Sequence, residues 1–358
     1  MSNVAAEQIA QAKAEKQGVK CVVWDLDNTL WDGVLLEDGD VRLRDGAEAV
    51  IEELDRRGIL QSVASKNDHH AARERLEELG LWEYFLYPQI NWNPKSSSIQ
   101  RIVEAINIGM DTVAFVDDQS FERDEVAFAL PDVMCIDAAQ LADIPEMKRM
   151  VPRFITPDSK LRRQMYMSDI VRQEAESDYR GTDEEFLSTL GLEFRIRRAR
   201  QDDLQRAEEL TVRTHQLNTT GYTYSYDDLD RIRTSDDHVL LVASLDDRYG
   251  TYGKIGLALV EKEEERGIWN LKLLLMSCRV MSRGVGTIML NHIMRLARDA
   301  GVRLRAEFVH NGRNRMMYVT YKFANFKELD QDGELVILDN DLSVVQGFPE
   351  YVSVEIES

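Results

Sequence analysis

Two aspartates separated by one residue, Asp25 and Asp27, follow directly on the apolar run Cys21–Trp24. In phosphoryl transfer, one carboxylate of such a pair can attack phosphorus while the other exchanges a proton with the leaving group. Two anions beside a phosphate need a neutralising cation, and Mg²⁺ prefers carboxylate oxygens. The pair therefore predicts phosphoryl-transfer chemistry with Mg²⁺ as the cofactor.

Further polar residues follow the next three predicted strands. Ser65 is placed to hydrogen-bond a phosphoryl oxygen, and Lys95 is placed to neutralise one. Asp117 and Asp118 add carboxylates for the metal. Open α/β sheets bind ligands at the carboxyl ends of their strands, so these residues are expected to meet there. The alternative is that each is an ordinary solvated group, but four elements in order favour a site.

A second candidate site surrounds Cys278 in the sequence MSCRVMSRGVG. Arg279 and Arg283 would lower the pKa of the thiol and make it a nucleophile, although a buried structural cysteine is equally consistent with this position. His310 ends the next predicted strand and could act as its base. Gly284 and Gly286 would let backbone N–H groups approach a phosphate at a helix N-terminus.

A polar loop precedes this site in the chain, with His215, Gln216 and the run Asn218–Thr220. These side chains could line the same cleft as Cys278. The alternative is that they form turns and caps, as Asn and Thr commonly do.

The elements that must position these residues fall into two groups. In the first half, strands and helices alternate, which predicts a parallel sheet covered by helices. The expected strands are 20–24, 59–64, 85–90, 112–116 and 133–136, with a hairpin of 34–36 and 41–43. The expected helices are 47–57, 69–79, 97–108 and 121–129.

The second half predicts a mixed sheet, with strands at 192–197, 239–244, 254–261, 269–277 and 303–309. Its expected helices are 201–214, 285–298 and 315–323, and a charged helix over 160–179 links the halves. The predicted domains are an N-terminal extension, 1–18, a first domain, 19–150, a linker, 151–185, and a second domain, 186–358. The predicted fold class is α/β in both domains.

Length and charge limit the possible partners. A chain of 358 residues is long enough for two domains, and its net charge of −20 disfavours nucleic acid and anionic membranes as partners. Three cysteines are too few for a disulfide framework. No apolar leader or membrane-spanning run is present, so a cytoplasmic location is expected.

The motifs of the first half, DLDNT, Ser65, Lys95 and Asp117-Asp118, resemble those of haloacid dehalogenase phosphatases. The resemblance implies a Rossmann-like domain in which Asp25 is the nucleophile and Asp27 the general acid and base. Phosphate would be bound by Ser65 and Lys95, together with Asn28 and Thr29. Magnesium would be bound by Asp25, the backbone carbonyl of Asp27, and Asp118 or Asp117. The short hairpin after the first motif implies a minimal cap and an open site.

The second half resembles GNAT-type N-acyltransferases in two segments, RGVG and NRMMYVTYKFANF. In the family, the first segment binds a pyrophosphate, which implies a phosphate-binding role for Arg279, Arg283, Gly284 and Gly286. Met281 stands where the family favours Gln or Arg, and Asn325 where it favours Gly. These departures favour the phosphopantetheine arm of a carrier protein over coenzyme A as the ligand.

The two domains together resemble the FkbH-like family, haloacid dehalogenase subfamily IIIC. The resemblance implies a bifunctional glyceryl transferase and phosphatase of polyketide-type biosynthesis. Such an enzyme dephosphorylates D-1,3-bisphosphoglycerate and loads the glyceryl group onto an acyl carrier protein through an enzyme thioester, here at Cys278. The product is a precursor of methoxymalonyl units.

Two alternatives remain: a magnesium-dependent phosphatase whose second domain only binds a ligand, and a docking module without catalysis. Because carrier proteins are usually acidic, docking is expected to use a local basic patch on this acidic chain. Four arginines close in sequence are the candidates for it, Arg195, Arg197, Arg198 and Arg200.

Overall fold

The computed structural model describes residues 18–357, which divide into two compact units between Ser168 and Asp169. This division lies inside the linker predicted for residues 151–185. The predicted N-terminal extension lies outside the described residues, apart from Gly18.

The first unit is built around a parallel sheet. Its strands are β1 (Cys21–Trp24), β2 (Trp31–Asp32), β3 (Arg42–Leu43), β4 (Leu60–Ser65), β5 (Gln89–Ile90), β6 (Val113–Asp117) and β7 (Met134–Asp137). Its helices are α1 (Leu35–Asp38), α2 (Ala47–Arg56), α3 (His69–Glu78), α4 (Lys95–Ile106), α5 (Ser120–Ala129) and α6 (Pro157–Lys160). Five strands form the main sheet in the order β5-β4-β1-β6-β7, and every neighbouring pair is parallel. This confirms the predicted fold class.

The apolar pattern of the sequence explains these elements. All four residues of β1 are buried, as expected for the central strand of a sheet covered on both faces. On α2, the buried residues Ala47, Val50, Ile51 and Leu54 recur at helical spacing and pack into the core of this unit.

Two predicted strands of the first unit were wrong in detail. Residues 34–36 do not form a strand, because a one-turn helix, α1, begins there and the Asp38 side chain accepts a hydrogen bond from the Val34 backbone (2.7 Å). The short hairpin pairs β2 with β3 instead. Strand β5 covers only Gln89–Ile90 of the predicted 85–90, because Tyr87 has a positive φ of 50° and Pro88 has no N–H to donate.

The second unit contains the carboxyl-terminal part of α7 (Arg162–Asp178), a helix within which the division falls. The other helices are α8 (Asp183–Leu190), α9 (Leu204–Arg213), α10 (Tyr226–Thr234), α11 (Val285–Asp299) and α12 (Arg315–Phe323). The strands are β8 (Leu192–Arg198), β9 (His238–Asp247), β10 (Gly250–Glu263), β11 (Ile268–Met276), β12 (Arg303–Val309), β13 (Lys327–Asp332), β14 (Leu335–Asn340) and β15 (Val352–Ile356).

These eight strands form one mixed sheet in the order β13-β14-β12-β11-β10-β9-β8-β15. Two neighbouring pairs are parallel, β11 with β12 and β8 with β15, and the others are antiparallel. Along β11, side chains alternate between the two faces: Leu274 and Met276 join one apolar cluster, and Leu273 and Leu275 join another. The predicted mixed-sheet α/β domain is confirmed.

Sequence reasoning missed α8, α10 and the last three strands. The signals for α8 were present, because Thr182 and Glu185 form a capping box and Gly191 ends the helix with a φ of 64°. Strand β13 gave no signal, since all six of its residues are exposed and only its pairing with β14 holds it extended.

Candidate active sites

The first candidate site lies at the carboxyl edge of the parallel sheet. Asp25 follows β1, Ser65 ends β4, Asp117 ends β6, and Lys95 begins α4. Since the strands are parallel, their carboxyl ends meet, and the backbone N–H of Asp25 donates to Val116 O at 2.9 Å. The structure thus brings the predicted nucleophile, phosphate-binding residues and metal-binding carboxylates together.

Lys95 holds this cluster together. Its ammonium group donates to Asp25 Oδ1, to Asp117 Oδ2 at 3.1 Å and to the backbone carbonyl of Ala64 at 2.9 Å. The lysine side chain is only 4% exposed, and both partner carboxylates are buried as well. One buried cation therefore bridges two buried anions.

Burial makes the carboxyl group of Asp25 costly to ionise. Burial raises the pKa of its carboxyl to about 6, although Lys95 and a hydrogen bond from Ser65 act in the opposite direction. Burial also raises the pKa of Asp117. A carboxylate cluster with such costs of ionisation is stabilised when a further cation binds.

A metal ion fits this donor set. Carboxylate oxygens of Asp25, Asp117 and Asp118 all lie within 4.8 Å of one another. Hard oxygen donors of this kind suit Mg²⁺. The side chain of Asp27 is not part of this group, which is consistent with the implied use of its backbone carbonyl instead.

The side chain of Asp27 is held by three donors. Oδ1 accepts from Trp31 Nε1 at 2.8 Å and from the Leu35 backbone N–H at 3.1 Å. Oδ2 accepts from Asn67 Nδ2 at 3.0 Å. Asn67 is a site residue whose contribution sequence reasoning missed, although its position two residues after Ser65 was a usable signal.

Asn28 and Thr29, which were predicted to bind phosphate, make structural contacts here. Asn28 has a φ of 53° and closes the turn with Gly33, whose backbone N–H donates to Asn28 Oδ1 at 3.1 Å. Thr29 Oγ1 accepts from the Asp118 backbone N–H at 3.0 Å. Thr29 therefore helps to position one of the metal-binding carboxylates.

The second candidate site lies where β11 and β12 separate. The two strands pair only over Ile268–Leu271 and Arg303–Ala306, although both continue further. Cys278 lies in the turn after β11 and is half-buried, and His310 follows β12 and is exposed. Both residues are therefore at the carboxyl ends of neighbouring strands, as predicted.

The opening between these strands is filled by the chain itself. Toward β11, Thr219 N–H donates to Leu274 O at 3.1 Å and Met276 N–H donates to Leu217 O at 2.8 Å. Toward β12, Val309 N–H donates to Thr219 O at 2.9 Å. Asn314 Nδ2 adds a bond to Asn218 O at 3.0 Å. The segment Leu217–Thr220 thus joins the strands where they no longer pair.

The side chains of this segment support the turn-forming alternative. Asn218 and Thr219 are fully buried. Asn218 Oδ1 accepts from the Gly221 N–H at 2.8 Å, and Thr219 Oγ1 accepts from the Leu274 N–H at 3.0 Å. Asn218 and Thr219 therefore follow the turn-forming alternative, because their side chains satisfy buried backbone groups.

The two arginines near Cys278 contact acidic residues of α7. Arg283 is buried, and both of its terminal nitrogens donate to Glu176 Oε2 at 3.2 Å. Arg279 forms an ion pair with Asp169 at 3.9 Å and donates to Tyr252 O at 2.6 Å. The predicted phosphate-binding guanidinium groups are thus partly neutralised within the unit.

The other predicted residues of this site have defined places. Gly284 has a φ of 69° and precedes α11, and Gly286 lies in the first turn of that helix. The His310 ring contacts Phe308 and Tyr318, with centroid separations of 4.8 and 5.6 Å, which limits its orientations.

The predicted basic patch is largely neutralised. Arg195 forms ion pairs with Glu193, Asp246 and Glu355. Arg197 pairs with Asp203 at 2.5 Å, and Arg200 pairs with Glu357 at 2.8 Å. Because carboxylates accompany these arginines, this surface is not the strongly basic patch that was expected.

Among residues 18–357, no helix combines the length and the apolar character needed to cross a bilayer.

Residues 33–121 match the family of haloacid dehalogenase-like hydrolases. This segment includes Ser65, Lys95, Asp117 and Asp118, and it begins after Asp25 and Asp27. No curated protein matches the chain.

Solved structures similar to the chain include members of two groups. The first contains the N-terminal part of BF1531 from Bacteroides fragilis, which has a phosphatase domain and was solved with Mg. It is 31% identical over 38% of this chain and 42% of that one, with a TM-score of 0.31. The chain thus spans less than half of that structure.

The second group consists of acetyltransferases. The ribosomal-protein-S18-alanine N-acetyltransferase of Escherichia coli is 16% identical over 43% of this chain and 96% of its own, with a TM-score of 0.34. A GNAT-family acetyltransferase of Streptococcus pneumoniae is 17% identical over 41% and 98%, with a TM-score of 0.33. Residues 33–121 of this chain thus match haloacid dehalogenase-like hydrolases, and the second unit is a mixed-sheet α/β domain.

Proposed function

We propose that the first unit is a magnesium-dependent phosphatase in which Asp25 is the nucleophile and Asp27 the general acid and base. The observation that carries this proposal is the buried contact of Lys95 with both Asp25 and Asp117, next to the metal-compatible carboxylate of Asp118. An aspartate nucleophile, a phosphate-binding cation and a set of metal ligands are thus grouped at one sheet edge.

The residues support a two-step reaction. A carboxylate oxygen of Asp25 attacks phosphorus, the bond from phosphorus to the leaving oxygen breaks, and Asp27 gives its proton to that oxygen. Water then attacks the phosphorus, the bond to Asp25 breaks, and Asp27 takes a proton from the water as inorganic phosphate leaves. Mg²⁺, held by Asp25, Asp117, Asp118 and the carbonyl of Asp27, would neutralise the charge that the phosphate brings.

For the second unit, the proposal is glyceryl transfer through Cys278. The thiolate attacks the acyl carbon of D-1,3-bisphosphoglycerate, the bond to the acyl phosphate breaks, and a thioester forms. The thiol of a carrier protein's phosphopantetheine arm then attacks that thioester and releases Cys278. The first unit removes the remaining phosphate, and His310 serves as the base. The half-buried place of Cys278 at a strand end supports this role.

A second candidate function has its own supporting observation. The segment Leu217–Thr220 fills the opening between β11 and β12, and acidic residues accompany Arg279 and Arg283. These features favour a phosphatase whose GNAT-like domain binds a ligand without catalysing acyl transfer.

Mass spectrometry separates the two functions. The full chain is incubated with D-1,3-bisphosphoglycerate, Mg²⁺ and a phosphopantetheinylated carrier, and the intact masses of both proteins are measured. A glyceryl adduct on the carrier, lost in Cys278→Ala while phosphate release continues, supports the transferase. Cys135→Ala is the matched control, since Cys135 is also partly buried but lies in the first unit. An adduct on neither protein contradicts the transferase and leaves the phosphatase.

A further inference from the structure

The carboxylate of Asp27 is held by three separate parts of the first unit. Trp31 belongs to β2 of the hairpin, Leu35 begins α1, and Asn67 lies in the loop after β4. All three donate to Asp27, whereas the cation of Lys95 contacts Asp25 and Asp117. The proposed acid thus has an environment distinct from that of the proposed nucleophile.

These donors are themselves fixed. Trp31 is fully buried, and its strand pairs with β3 through Leu43. Asn67 is 1% exposed, and its Oδ1 accepts from the Asp68 backbone N–H at 2.9 Å. That bond determines which way the amide faces and directs Nδ2 toward Asp27. Because other contacts hold these donors in place, the donors restrict the orientation of the Asp27 carboxylate.

The distribution of donors distinguishes the two oxygens of Asp27. A carboxylate oxygen has two lone-pair directions. Oδ1 uses both, for Trp31 and for Leu35 N–H, whereas Oδ2 accepts only from Asn67 among the contacts described. A transferable proton consequently fits on Oδ2 without displacing a hydrogen bond.

We propose that Asn67 and Trp31 are positioning residues for Asp27, and that they present Oδ2 as the atom that donates and accepts the proton. This inference rests on the proposed phosphatase function. The short hairpin after β1 then has a role of its own, because its first strand and the helix α1 between its strands supply two of the three donors. Neither residue needs to touch the substrate.

Leaving-group dependence tests this role. An alkoxide leaving group needs a proton from Asp27, whereas 4-nitrophenolate departs without one. General acid catalysis contributes roughly 10²–10⁴-fold. In Asn67→Ala and in Trp31→Phe, we expect kcat for the alkyl phosphate 3-phosphoglycerate to fall about 10- to 100-fold, as partial loss of that contribution predicts. The kcat for 4-nitrophenyl phosphate should change by less than about 3-fold, because that step needs no acid.

Trp24→Phe is the matched control. Trp24 is also fully buried, and its Nε1 donates to a side chain, Gln61 Oε1 at 3.0 Å, rather than to Asp27. This variant should leave the ratio of the two kcat values unchanged, even if it lowers both. Trp31→Phe keeps most of the buried ring, so that it serves where Asn67→Ala fails to fold.

Equal losses on both substrates in Asn67→Ala and Trp31→Phe would overturn the positioning role, as would unchanged activity on both. Phosphate release from 4-nitrophenyl phosphate by the wild type keeps the proposed function standing in either case. If the wild type releases phosphate from neither substrate, the proposed function fails first and this inference fails with it.

Discussion

At the scale of single residues, the structure shows how the charged side chains of the sequence motifs are arranged. Asp25, Asp117 and Asp118 bring three carboxylates together, and Lys95 is the buried cation that contacts two of them. The three carboxylates outnumber this one cation and burial raises the pKa of Asp25 to about 6, so a further cation would stabilise the ionised cluster. Lys95 and the metal are therefore expected to matter for both stability and activity.

Asp25→Asn should abolish phosphate release, because an amide oxygen cannot form the phosphoaspartyl bond. The same variant should weaken stabilisation by Mg²⁺, since it replaces an anionic ligand with a neutral one. Thermal unfolding with and without Mg²⁺ checks the second effect, and a phosphate assay checks the first. Asp32→Asn, on the same hairpin but exposed, is the control. A wild type that Mg²⁺ leaves unchanged would contradict the metal site.

Lys95→Met should destabilise the first unit by about 3–5 kcal/mol, the usual cost of leaving a buried charge without its partner. Added Mg²⁺ should recover part of that loss by occupying the carboxylates. Arg73→Met is the comparison, because Arg73 and its partner Glu77 are 52% and 49% exposed. We expect at most about 1 kcal/mol there. Urea unfolding measures both values, and equal losses would mean that the Lys95 contacts are not the cause.

At the scale of elements, the connections between strands and helices decide what each site can do. The hairpin after β1 holds Asp27, and the segment Leu217–Thr220 joins β11 to β12. The turn after β11 ends in Gly284, whose φ of 69° favours glycine. A Cβ there would lie 2.5 Å from Tyr351 Oη.

Gly284→Ala should therefore destabilise the chain by more than the roughly 1–2 kcal/mol that a left-handed non-glycine residue costs. Gly301→Ala is the matched control, because Gly301 has a φ of 70° and no atom within 4 Å of its Cβ position. The double variant with Tyr351→Phe removes the clashing oxygen and should recover part of the difference. Equal unfolding free energies for Gly284→Ala and Gly301→Ala would show that Tyr351 yields without cost.

At the scale of the whole molecule, charge opposes the proposed carrier partner. The chain carries a net charge of −20, and the arginines expected to offset it locally are paired with acidic residues. An acidic carrier would thus meet a surface of like sign, which slows association at low ionic strength.

Carrier loading should consequently become faster as salt rises from low to about physiological concentration, because salt screens repulsion beyond roughly 8–10 Å. Initial rates of glyceryl transfer at several salt concentrations measure this effect. Free pantetheine, which is uncharged, is the matched acceptor and should show no such increase. Slower loading of the carrier with salt would instead indicate an attractive patch elsewhere on the surface.

Much of this architecture was predictable, because local patterns carry it. The strands β1, β4, β6 and β7 are short apolar runs, and polar residues at their ends had to meet once the sheet was parallel. Asn67 could not be assigned in this way, since its contact with Asp27 depends on how two loops fold. The prediction of a basic patch was wrong for a similar reason. Glu355 and Glu357 form ion pairs with Arg195 and Arg200, but they are distant from these arginines in sequence.

The amino-acid sequence by itself determined the α/β class of both halves and indicated which polar residues gather at the carboxyl edge of the parallel sheet. Periodicity and strand-end motifs are local, and they need no knowledge of distant contacts. Only the tertiary structure decided which oxygen of Asp27 has room for a proton, and that the polar loop closes the opening between β11 and β12. Those outcomes depend on hydrogen bonds between residues far apart in the chain. Buried polar groups need hydrogen-bond partners, and the tertiary fold determines which partners are within reach.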